Sequence, residues 1–170
     1  MKINNRNRKG FTLIELLAVI VVLAIVMVLA TSTILPLLSS ARTSSFALEA
    51  NNAIDAASQA VSLIQLGTST IDTTESGDYK RTVTDTSTTY CFSLKKLIQY
   101  GLLKKDEKSL GATKYEGTVT VTAPKNSNQY TYAVSMHSSN FYVNSTGNVE
   151  ESNVNEWSSS STVTLKTSCS

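Results

Sequence analysis

The stretch KGFTLIELLAVIVVLAIVMVLATSTILPLL, residues 9–38, decides the fold. Every side chain in residues 16–30 is apolar. With Phe11, Leu13 and Ile14, the run reaches the roughly 20 residues that a helix needs to cross about 30 Å of hydrocarbon. It has no polar face. Apolar character all the way round marks a helix solvated by lipid or by other apolar helices, not the amphipathic helix of a globular surface.

The surroundings of this run are unlike it. The chain has 170 residues, 41% of them hydrophobic, enough for one ordinary domain. Beyond Leu38 the apolar residues come singly or in pairs among Ser, Thr and Asn. Ahead of it, Lys2, Arg6, Arg8 and Lys9 supply four of the fifteen basic side chains. Lys and Arg beside an apolar span are retained in the cytoplasm, so this leader predicts a chain whose remainder is exported. Without residues 1–10 there remain 11 basic and 13 acidic side chains, a net charge of −2. That balance gives no support to DNA as a partner.

Glu15 is the exception within the apolar stretch. A carboxylate near the start of a membrane span costs free energy and usually has a purpose. In the first turn of a helix it also sits at the positive end of the macrodipole, which lowers the cost. Alone it does not separate a functional from a structural role. An ordinary secretory signal cut after Val28, Leu29 and Ala30 is the other reading of the run.

Lys9, Gly10, Phe11, Thr12, Leu13, Ile14 and Glu15 stand together directly ahead of the span. This block resembles the processing motif of the type IV pilin and pseudopilin family, over roughly the first forty residues. The resemblance implies that a prepilin peptidase and methyltransferase cuts between Gly10 and Phe11 and N-methylates Phe11. Gly10, lacking a β-carbon, would lie extended in a narrow protease cleft. Glu15 would neutralise the N-terminal amine of a neighbouring subunit, a buried opposite-charge pair that aligns copies because either charge alone is expensive. The implied partners are copies of this chain and other pilins in a helical filament, the membrane assembly platform, and the lipid bilayer before assembly. The implied localisation is a single-pass cell-membrane protein with a cytoplasmic N-terminus, then an extracellular pilus or pseudopilus.

Beyond the span, Phe46, Ala50, Ile54, Ala57, Val61 and Ile64 recur at spacings of three and four, so the helix is expected to continue as an amphipathic stem to Gly67. Such a helix would be roughly 80 Å long at about 1.5 Å per residue. Pro36 and the polar group Ser39, Ser40, Arg42, Thr43, Ser44 and Ser45 interrupt it, and a kink is expected at Pro36. The layout is therefore a leader at 1–10, an assembly helix at 11–38, its continuation at 39–67 and an exported head at 68–170. In the head, residues 93–100 read as a short helix capped by Ser93 and stopped by Gly101. Strand signals follow at 118–122, 130–136, 140–143 and 162–166, with turns at 124–128, 137–139 and 146–148. The expected fold is α+β, pilin-like: a long N-terminal helix packed against a small antiparallel sheet.

Little of the sequence suggests catalysis. There is one histidine, no metal-ligand spacing and no phosphate-binding glycine loop, so neither enzyme activity nor a cofactor is expected. His137 and Cys91 as base and nucleophile have simpler roles in a turn and a disulfide. Cys91 and Cys169 both fall in the exported part, where oxidation is permitted, and are expected to pair. Lys95, Lys96, Lys104, Lys105 and Lys108, with Asp106 and Glu107 among them, read as a solvated face. Tyr130, Tyr132 and Tyr142 are either exposed for adhesion or cross-strand packing. Asn144, Ser145 and Thr146 form a glycosylation sequon by pattern. A competence or type II secretion pseudopilin shares every N-terminal feature. A monomeric membrane-tethered binding module, or an exported protein released near Ala30, would leave Gly10, Phe11 and Glu15 without a common reason.

Overall fold

A computed structural model describes residues 11–67, 71–104, 115–127, 129–157 and 163–169. Helix α1 spans Leu13–Gln65 with Pro36 inside it, and Gly67, at φ 69°, follows its end as the left-handed stop that glycine accommodates without strain. The remaining elements are β1 (Tyr79–Val83), β2 (Ser87–Ser93), α2 (Leu94–Gln99), β3 (Glu116–Pro124), β4 (Thr131–His137), β5 (Phe141–Thr146), a 3-10 turn (Glu151–Asn153) and β6 (Val154–Glu156). All six strands form one antiparallel sheet in chain order. A long apolar N-terminal helix followed by this sheet is an α+β, pilin-like layout.

The chain divides into two compact units, one running to Ser39 and one of Ser40–Ser170. In the first, the large apolar side chains are exposed, Leu13 by 84% and Met27 by 72%. Two of its hydroxyls turn back onto the helix: Thr31 Oγ1 donates to the Met27 carbonyl at 2.8 Å and Ser32 Oγ to that of Leu29 at 2.9 Å. The helix is long and apolar enough to cross a membrane by length and composition.

In the second unit, the outer part of α1 buries Phe46, Ala50, Ile54, Ala57 and Val61. These are members of the predicted stripe. Ala53, Ala56 and Ala60 are buried with them, so the helix lowers a nearly smooth alanine face onto the sheet. The sheet meets it with alternate residues: Tyr90 and Phe92 of β2, Val119 and Val121 of β3, Val134 and Met136 of β4, Val143 of β5. Phe46 touches Tyr115 and Phe141 at centroid distances of 5.7 and 5.9 Å, fixing one end of the packing. Tyr130 Oη donates to Gln65 Oε1 at 3.0 Å, and Tyr132 Oη lies 3.4 Å from Ser58 Oγ, fixing the other. Of Tyr130, Tyr132 and Tyr142, the first two thus hold the helix.

Helix α2 begins as expected, with Ser93 Oγ accepting from the Lys96 backbone N–H at 3.1 Å. Its lysines do not form a uniformly solvated face. Lys96 is buried, with Nζ 3.2 Å from Asp72 Oδ2 and 5.4 Å from the Tyr100 ring centre, while exposed Lys95 reaches Asp78 at 3.3 Å. Hydrogen bonds from Thr74, with Lys96 beside it, hold the Asp72 carboxyl down to about 2. Lys105, Asp106, Glu107 and Lys108 lie outside the described residues.

Residues 163–166 are not a strand, and Thr162 lies outside the described residues. This part of the chain crosses the sheet instead of pairing with it. The Lys166 N–H donates to Ser135 Oγ on β4 at 3.1 Å, and the Lys166 carbonyl accepts from Thr118 Oγ1 on β3 at 3.0 Å. Cys169 then bonds Cys91 on β2, with Cα atoms 5.6 Å apart, and its N–H donates to the Gly77 carbonyl at 2.7 Å. The bridge joins residues 78 apart in sequence. Replacing both cysteines by serine is expected to lower head stability by about 2 to 5 kcal/mol. Urea unfolding of the full chain in detergent checks this; an unchanged midpoint would mean that the tail's hydrogen bonds suffice without the bridge.

Candidate functional site

The N-terminal end of α1 is built by a local exchange of hydrogen bonds. Thr12 is the residue before the helix, and both its backbone N–H and its Oγ1 donate to Glu15 Oε2, at 2.8 and 3.0 Å. The Glu15 N–H approaches Thr12 Oγ1 at 3.4 Å in return. This is a capping box, Thr-x-x-Glu, which satisfies amide groups that a helix start otherwise leaves open. The pattern stands in the sequence as Thr12, Leu13, Ile14, Glu15, and reading Glu15 only as a charge in a first turn overlooks it. Both bonds fall on Oε2. Among the described residues nothing donates to the other carboxylate oxygen, Oε1. Phe11, at 86% exposure, stands immediately ahead of the cap. Gly10 lies outside the described residues.

At the other functional boundary, the polar group that interrupts the helix pattern has a definite task. Ser40 Oγ, Thr43 Oγ1 and Ser44 Oγ donate to the Glu151 carboxylate at 2.7, 2.8 and 2.8 Å. These three hydroxyls hold the Glu151 carboxyl below its usual range. About two turns further along, Asn51 makes a two-way bond with the Val149 backbone: Nδ2 donates to the carbonyl at 2.8 Å and Oδ1 accepts the N–H at 2.9 Å. The loop between β5 and β6 is thereby clasped to α1. The Ser and Thr content of this turn fixes the helix to the head.

The residues considered for chemistry separate. Cys91 is in the disulfide and cannot be a thiolate nucleophile. His137 ends β4 and stacks on Trp157 at a centroid distance of 5.3 Å, with Tyr142 edge-on to the same ring at 5.8 Å. Trp157, the one tryptophan, is a packing residue that the strand pattern did not mark. Among the described residues no group of three His, Cys, Asp or Glu side chains is placed to hold a metal.

Residues 5–31 match the family described as the prokaryotic N-terminal methylation motif. The chain carries the type IV pilin and pseudopilin signature. The match ends at Thr31, so the head lies outside it. No curated protein matches the chain, and no solved structure does. Pilin-type families are structural rather than catalytic, and the motif implies self-assembly with other pilins and processing by a prepilin peptidase. The apolar helix and the motif together fit membrane anchoring and a surface filament.

Proposed function

We propose that this pilin-type chain is a structural prepilin. It inserts with residues 1–10 in the cytoplasm, is cut after Gly10, is methylated at Phe11, and polymerises through residues 11–38 into a type IV pilus or related filament. One observation carries the reading: a processing motif leads directly into a capped apolar helix whose large side chains are exposed in the single chain. Such a surface needs lipid or other helices around it. Lipid satisfies it before assembly and neighbouring stems afterwards. Pro36, which has no N–H for the Ser32 carbonyl, is where the helix yields during that transfer. The disulfide suits a head displayed in an oxidising compartment. Competence and secretion pseudopilins use the same N-terminal devices, so the reading is at the level of the filament subunit.

Intact mass and N-terminal sequencing of the protein from sheared surface and membrane fractions test it. A chain beginning at N-methylated Phe11 supports the proposal. One beginning at Met1, or just after Ala30, replaces it with a tethered or a secreted protein.

Glu15→Gln separates the two roles of Glu15. The amide oxygen still accepts from Thr12, so the capping box is largely retained while the charge is lost. Insertion and cutting are expected to proceed as in the wild type. Filament yield is expected to fall by about tenfold or more, because the incoming Phe11 amine would be buried without a counter-charge. A wild-type yield would restrict Glu15 to helix capping.

A further inference from the structure

The two open edges of the sheet carry opposite charge. At one edge, β1 presents Lys80 and Arg81, both exposed. The Ser93 N–H donates to the Asp78 carbonyl and the Thr84 N–H to that of Ser87, so alternate residues of β1 turn their backbone groups toward β2. Tyr79 uses its outward N–H and carbonyl on Ser76, which leaves those of Arg81 and Val83 directed away from the sheet. Nearby Asp72 and Asp78 are paired with Lys96 and Lys95. Glu75 and Asp85 lie at either end of the strand and reduce the positive excess without reversing it along β1 itself.

At the opposite edge, residues 138–157 contain three glutamates and no Lys or Arg. Glu150, Glu151 and Glu156 are all exposed. Glu151 is engaged by the three hydroxyls of α1, whereas Glu150, just ahead of the 3-10 turn, and Glu156, the last residue of β6, form no ion pair among the described residues. Arg42, the one basic residue in the turn of α1 that holds Glu151, forms no ion pair among the described residues.

The direction of the strands makes these edges lateral. Strand β4 starts beside Gln65 and Ser58 and ends toward the turn that leads to Phe141, which touches Phe46. The strands therefore run along the outer part of α1, and the β1 and β6 edges form its two flanks. In a helical filament every contact is heterologous: a surface of one copy meets a different surface of the next. Like flanks would repel, and unlike flanks attract.

We propose that Lys80 and Arg81 on the β1 flank of one copy dock against Glu150 and Glu156 on the β6 flank of the next, giving the heads a directed lateral contact. The proposal rests on the filament reading and names which surfaces of the heads meet. Its partner is a second copy of this chain.

The test is charge reversal in the full chain, expressed with its own assembly machinery and read as sheared filament yield relative to the membrane pool. Lys80→Glu with Arg81→Glu makes both flanks acidic; Glu150→Lys with Glu156→Lys makes both basic. Each chain alone is expected to lose filaments by about tenfold or more. The two expressed together are expected to recover them, with both chains present in every filament fraction. Reversing all four residues in one chain is also expected to assemble. Either flank variant assembling alone like the wild type overturns the proposal. So does failure of both the mixture and the fourfold variant, which shows that the flanks do not face one another. Absence of filaments from the wild-type chain overturns the filament reading, and the docking falls with it.

Discussion

Gly10→Val is expected to leave essentially all of the chain uncut, with residues 1–10 still attached to a membrane-inserted protein. A branched side chain next to the scissile bond removes the extended, unobstructed backbone that a narrow cleft accepts from glycine. Nothing in residues 11–38 changes, so insertion should be unaffected. Assembly should not survive. The retained leader keeps Lys2, Arg6, Arg8 and Lys9 on the end of the helix, and drawing that end into a filament core would bury cations at several kcal/mol each. The uncut chain also lacks the Phe11 amine, so Glu15 has no partner to receive. Mass spectrometry of the membrane fraction reads the first effect and sheared filament yield the second. Recovery of a Phe11 terminus at the wild-type rate would remove the steric reason given for Gly10.

How much of this was legible follows from what each segment buries. Residues 16–30 announce themselves by composition alone, since no globular surface tolerates fifteen apolar residues without a polar face. The stripe from Phe46 to Val61 was legible because a helix on a sheet must repeat its apolar residues at three and four. Ser93 and Gly101 bracket α2 by chemistry specific to helix ends. The edge strands escaped. Strand β1 buries only Tyr79 and exposes Lys80 to Val83, so it lacks the alternation by which a strand is recognised. Strand β6 has three residues, too few to show a period. In β2, Tyr90 and Phe92 alternate with Thr89 and Cys91, a strand period that the sequence does carry. Val163 and Leu165 give residues 163–166 the pattern of a strand, but hydrogen bonds from β3 and β4 and the Cys91 bridge take this chain across the ladder. At the N-terminus, the family motif drew attention to the charge of Glu15. The three-residue spacing from Thr12 carried the capping role. The clasp of Glu151 on Ser40, Thr43 and Ser44 joins residues more than a hundred positions apart, which no local pattern can reveal.

Gly117→Val is expected to have the opposite separation of effects: normal processing with a head that does not fold. Gly117 sits at φ 154° at the start of β3, paired in register with Met136. A β-carbon there would overlap the Ser135 carbonyl oxygen and lie 2.7 Å from Met136 Cα. Both obstacles are backbone of the adjacent central strand, which cannot rotate aside as a side chain would. Moving them would disturb Thr118 and Ser135, the two hydroxyls that hold the tail, and so the approach of Cys169 to Cys91. A loss on the order of 4 kcal/mol or more is expected, a large part of an ordinary domain's stability. The N-terminal cap and the apolar helix lie in the other compact unit and do not depend on this crossing. The membrane fraction should therefore contain chains starting at Phe11 whose heads are degraded by added protease, with Cys91 and Cys169 open to thiol labelling. Protease resistance equal to that of the wild type would mean that β3 and β4 can separate at Gly117 without loss of the fold. If cutting after Gly10 failed instead, the two units would be coupled, and recognition of the motif would require a folded head.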